Sequence, residues 1–145
     1  VAQRAGVSTQ PVINHFGSKE QLFTTVHERF GAEVRSRRYA PEPGDVTGAV
    51  EALLEDYERT GDAVMRLLAL EEKVSAVQPL IALGRRSHRE WVDTMFGAPE
   101  LTPLLVVATD VYTWKLLRRD QGMSRDETAA AILRIVQALL QRRTR

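Results

Sequence analysis

Thr9, Gln10 and Asn14 are short polar side chains close together near the start of the chain. In a helix over this stretch, Val12 and Phe16 are four apart and turn inward with Val7. Thr9, Gln10 and Asn14 are then left on the opposite, exposed side. Hydroxyl and carboxamide groups presented in this way can hydrogen-bond to base edges in a major groove. Pro11 and Ile13 can offer apolar contact to thymine methyls. Ser8, His15 and Lys19 can hold phosphates and so fix register. Lys19 falls in the first turn of a further helix, where free N–H groups and the helix dipole also attract phosphate.

A second set of chemistry-bearing residues lies in the middle of the chain. Tyr57, Arg66, Glu71, His88, Trp91 and Tyr112 are candidates for the few polar and aromatic groups of an otherwise apolar ligand pocket between helices. His88 and Trp91 are three apart and can share one lining. Catalysis is less well served. Glu71 and Glu72 are adjacent, so on a helix they point about 100° apart. His88 has Glu72 and Asp93 as possible partners, but no second histidine stands at metal-ligand spacing. Gly84-Arg85-Arg86 reads as solvated charge around a close helix contact. No glycine-rich phosphate loop follows a strand, and no nucleophilic triad is visible. The sequence therefore predicts no enzyme, no catalytic residue, no metal site and no cofactor.

These residues need helices to position them. Gly6 supplies the tight turn of a helix-turn-helix, Ser8 caps the second helix, and Pro11 sits in its first turn, where a missing N–H costs little. Ser18 and Gln21 have capping-box spacing, and Leu22, Phe23, Val26 and Phe30 follow at helical intervals to about Arg38. Ala40-Pro41-Glu42-Pro43-Gly44 cannot continue a helix and reads as a domain boundary. The expected domains are 1–39, a helix-turn-helix unit, and 45–145, an antiparallel helical unit. In the latter, Asp45 caps a helix with Val46, Val50, Leu53, Leu54 and Tyr57 on its apolar face. Gly61 is expected to end it and Asp62 to cap another. Pro79 restarts the pattern, and Gly97-Ala98-Pro99 closes a longer helix. Pro103 to Leu117 reads as one helix apolar on almost all sides, which needs a partner for one of its faces. Ser124 and Glu127 form a capping box for a last helix striped by Ala129, Ile132, Leu133, Val136, Leu139 and Leu140. Period-two alternation is nowhere sustained, so the fold class is all-α.

The run AGVSTQPVINHFGSKEQLF resembles the DNA-binding segment of the TetR family of bacterial regulators. It matches that family's pattern at Ala5, Gly6, Val7, Ser8, Val12, His15, Phe16, Ser18, Lys19, Glu20 and Leu22. It departs at Pro11, where Thr is usual, and at Ile13, where a DNA-contacting Tyr is usual. The resemblance implies a ligand-responsive transcriptional repressor that binds a palindromic double-stranded DNA operator as a homodimer and answers to a small-molecule effector. It also implies that the last two helices build a four-helix dimer interface, and that a further helix precedes Val1 and supports the reading helix. The alternative is a helical small-molecule-binding protein that no longer reads DNA.

Composition agrees with this class. The 145 residues carry 43% hydrophobic and 27% charged residues, ordinary for a globular protein with a real core. There is no cysteine, so no disulfide framework or cysteine-based metal site is available. No apolar run approaches ~20 residues, and no signal-peptide pattern opens the sequence. A cytoplasmic location without membrane association is expected. The net charge is +1, yet residues 1–39 carry six Lys/Arg against three acids, while the remainder is slightly acidic. A basic leading end beside an acidic body suits phosphate contact at that end.

Overall fold

A computed structural model describes residues 19–142, and every regular element among them is helical. Helix α1 spans Lys19–Arg38, α2 Val46–Leu68, α3 Gln78–Phe96, α4 Thr102–Thr109, α5 Val111–Lys115 and α6 Arg125–Gln141. Short 3-10 turns at Ser75–Val77 and Pro99–Leu101 lead into α3 and α4, and a π-helical turn at Leu116–Asp120 extends α5. The chain divides into two compact units at Ser36 and Arg37, so the last two residues of α1 belong to the second unit. Among the described residues no helix is long and apolar enough to cross a membrane.

The helix ends follow from their residues. Asp45 accepts a hydrogen bond from the Gly48 amide at 2.9 Å and caps α2. Pro79 lies in the first turn of α3, where no amide is missed. Gly97 closes α3 in the left-handed conformation at φ 58°, its amide bonded to the Asp93 carbonyl. The capping box at the start of α6 is complete. Ser124 accepts from the Glu127 amide at 3.2 Å, and the Glu127 carboxylate accepts from the Ser124 amide at 2.7 Å.

In the second unit α2 is central. It packs against α3, α5 and α6, while α4 lies against α3 and α6. Its buried residues Ala49, Val50, Leu53, Leu54, Tyr57 and Gly61 recur at helical spacing and meet Trp91, Val92 and Met95 of α3, Trp114 of α5 and Ile132 and Val136 of α6. Trp91 and Trp114 are the largest side chains wholly withdrawn from solvent.

Two expectations are corrected. Gly61 does not end a helix, and Asp62 does not cap a new one, because α2 runs unbroken from Val46 to Leu68. Gly61 is there for close approach. A Cβ on it would lie 2.5 Å from the Trp114 ring. Asp62 instead pairs with Arg119, whose guanidinium also lies over the Trp114 ring at 4.8 Å. The stretch from Pro103 to Leu117 is not one helix either. It breaks at Asp110, which has extended angles (φ −70°, ψ 153°) and accepts from the Tyr112 amide at 2.9 Å, capping α5. A short carboxylate offers the backbone an alternative to the helical ladder, and here the alternative prevails.

The Gly61 contact gives a direct test. Alanine at a helical glycine normally gains up to about 1 kcal/mol. Against the Trp114 face the overlap dominates, so Gly61→Ala should destabilise the protein by about 1–3 kcal/mol in urea unfolding.

Candidate functional site

Polar groups converge in the second unit where the end of α1 meets α2, α3 and α4. Asp56 lies on the apolar face of α2 and its side chain is 1% exposed. Its two carboxylate oxygens are divided between consecutive arginines. Arg37 donates from Nη2 to Oδ1 at 2.9 Å, and Arg38 donates from Nε to Oδ2 at 2.9 Å. Removing the carboxylate from such a buried group costs about 3–5 kcal/mol, because the guanidinium charges lose their shared counter-charge.

Arg38 is the hub. Its Nη1 lies 2.9 Å from His88 Nδ1, and its guanidinium rests 5.0 Å from the Tyr57 ring centroid and 5.6 Å from that of Trp91. Its backbone carbonyl, one of the orphan acceptors at the end of α1, accepts from the Trp91 indole at 2.9 Å. Burial works against the guanidinium's charge, but the Tyr57 and Asp56 oxygens outweigh it and hold its pKa above the ordinary arginine value.

The chain of bonds fixes the state of His88. A guanidinium only donates, so Nδ1 must be the lone-pair nitrogen and the proton sits on Nε2. Nε2 then donates to Thr109 Oγ1 at 3.1 Å, and that hydroxyl donates to the Leu105 carbonyl at 2.7 Å. The ring stacks on Trp91 with centroids 5.6 Å apart. Burial, and then the Arg38 charge, push the imidazole pKa down to about 3, against a smaller opposing contribution from the Val106 backbone. Tyr57, beside Asp56 on α2, donates from its hydroxyl to the Thr109 carbonyl at 2.9 Å. Burial raises its phenol to about 12, so the donor keeps its proton.

Three of the six residues expected to line a ligand pocket thus meet: Tyr57, His88 and Trp91. Their polar atoms bond to Thr109 and Arg38, and His88 has these partners rather than Glu72 or Asp93. The other three lie apart. Arg66 is exposed on α2 and Tyr112 is exposed on α5. Glu71 follows α2 and pairs with Arg85 of α3, with Nη2 to Oε2 at 2.7 Å. Sequence reasoning missed Arg37, Arg38, Asp56 and Thr109. The available signal was Asp56, a carboxylate set among Leu53, Leu54, Tyr57 and Thr60 on an apolar stripe, which requires a cationic partner. Among the described residues no group of three or more His, Asp or Glu side chains is placed to hold a metal.

Ser8, Thr9, Gln10, Pro11, Ile13, Asn14 and His15 lie outside the described residues, and Lys19 opens α1. A second surface feature is apolar. Leu104 and Val107 of α4 are 53% and 66% exposed, and with Ala108, Thr113, Ile135 and Leu139 they line a shallow groove against α6. Comparison with protein families, with curated proteins and with solved structures finds no match.

The depressed imidazole makes stability pH-dependent. Between about 6.5 and 3 the unfolded chain takes up a proton that folded His88 refuses, so stability falls as pH falls through that window. At pH 5 the loss from this one group is about 2 kcal/mol relative to pH 7. Urea unfolding at the two pH values should show it, and His88→Gln should flatten the difference.

Proposed function

We propose that the protein is a ligand-responsive transcriptional regulator of the TetR type, a repressor that binds a palindromic operator as a homodimer. The observation that carries this reading is the spaced set Ala5, Gly6, Val7, Ser8, Val12, His15, Phe16, Ser18, Lys19, Glu20 and Leu22, which matches the sequence pattern of that family's DNA-binding segment. Thr9, Gln10 and Asn14 read base edges, Pro11 and Ile13 touch thymine methyls, and Ser8, His15 and Lys19 grip phosphates.

Two further observations support the reading. Residues 1–39 are net basic and the remainder slightly acidic, which suits phosphate contact at the leading end. The outer faces of α4 and α6 carry Leu104, Val107 and Ile135 in solvent, the kind of apolar surface that a second copy of the chain would cover. A small-molecule effector acts on such a regulator by binding the operator-fitted and released states with unequal affinity.

Lys19→Ala in the intact protein should weaken operator binding and reduce the slope of log affinity against log salt by about 0.9, the share of one phosphate contact. An unchanged slope in fluorescence anisotropy titrations removes Lys19 from the interface. Val107→Glu places a charge on the exposed apolar face without entering the core. Sedimentation should then find monomers, and operator affinity should drop at least about tenfold, because a charge buried at an interface without a partner is costly. A variant that still sediments as a dimer places the interface elsewhere.

A further inference from the structure

The bonds around Arg38 form a continuous path through the second unit. It runs from Arg37 and Arg38 at the end of α1, through Asp56 on α2 and His88 on α3, to Thr109 at the end of α4. A second arm returns from the Thr109 carbonyl to Tyr57, the neighbour of Asp56. Thr109 is the residue after which the chain leaves helical angles at Asp110. The path therefore joins one helix end to one helix break, with α2 and α3 between them.

We propose that this path is a two-state coupling, in which the anchorage of the last turn of α1 and the geometry of the α4–α5 break change together. The directionality of the bonds carries the argument. Arg38 can only donate, which makes His88 Nδ1 accept, which makes Nε2 donate to Thr109, whose own proton goes to Leu105. No member can reverse its role by rotating in place. If the Thr109 hydroxyl leaves, the imidazole N–H loses its side-chain acceptor and is left with the Val106 backbone in a largely buried site. Turning the ring toward any other partner withdraws the acceptor from Arg38. Asp56 and Tyr57 are consecutive on α2, so a shift of that turn loads both arms at once. The inference goes beyond the regulator reading and stands on the second unit alone, without DNA or effector.

Native-state amide hydrogen exchange tests it on the protein in solution. Thr109→Val keeps the shape and removes the hydroxyl. The amides of Arg37, Arg38 and Ala40 should then exchange about five- to tenfold faster relative to those of Ile132–Val136 in α6, since losing one such bond is worth that factor. By reciprocity, Asp56→Asn should speed exchange of the Val111–Lys115 amides relative to the same α6 reference. Glu55→Ala breaks only the exposed Glu55–Arg59 pair and should leave all of these ratios within about twofold. If Thr109→Val does not fold, Tyr57→Phe severs the other arm and should act on the same α1 amides. Acceleration confined to residues 105–113, with the end of α1 unaffected, overturns the proposal.

Discussion

The second unit depends on one carboxylate being held away from water by two guanidinium groups. Asp56 faces the core side of α2, where an isolated charge would be untenable, and it persists because each of its oxygens receives a separate arginine. The constraint propagates outward. Arg37 and Arg38 must be helical and adjacent for their side chains to divide one carboxylate between them, so these last two residues of α1 belong to the second unit and not to the segment before it. Arg38, once committed, dictates the protonation of His88, and His88 dictates the partner of Thr109. An apolar replacement for the arginine–aspartate group could match its stability, but it could not impose this order of donors and acceptors.

Two indole groups complete the arrangement on either side. Trp91 spans the polar cluster, stacking on His88 and giving its N–H to the Arg38 carbonyl. Trp114 fills the hollow left by Gly61 and gives its N–H to Glu58 at 3.0 Å, where Arg118 also binds. In both cases the ring is buried and the nitrogen is satisfied, as a large aromatic with one polar atom requires. Trp114 and its ionic surroundings fasten α5 and the π-helical turn to α2. Trp91 fastens the end of α1 to α3.

Much of this helical scaffold could be read from residue spacing. The all-helical character, the end of α1 at Arg38, the caps at Asp45 and Ser124, the stop at Gly97 and the core stripe of α2 all follow from local rules, because each rests on contacts within a few residues. Gly61 and Asp110 depart from their local reading for one reason. Each has a local meaning, as helix terminator or as one polar residue in an apolar helix, and a different meaning set by something distant or by a competing cap. Gly61 is explained only by Trp114, which is far away in sequence. The site was partly legible. Tyr57, His88 and Trp91 stood out as polar or aromatic residues on helical stripes, but the arginines that unite them looked like ordinary charges at the end of a helix. Pairings across 18 to 50 residues leave no periodic trace in the sequence.

The break at Asp110 has a geometric consequence for the outer surface of α4. Eight helical residues rise only about 12 Å, so this helix can offer a neighbour just two rungs of side chain, Leu104 and Val107, before the backbone turns away. Any extended seam along that side must draw most of its length from the seventeen residues of α6, with α4 acting as a short tooth that sets where along the longer rod the seam is registered.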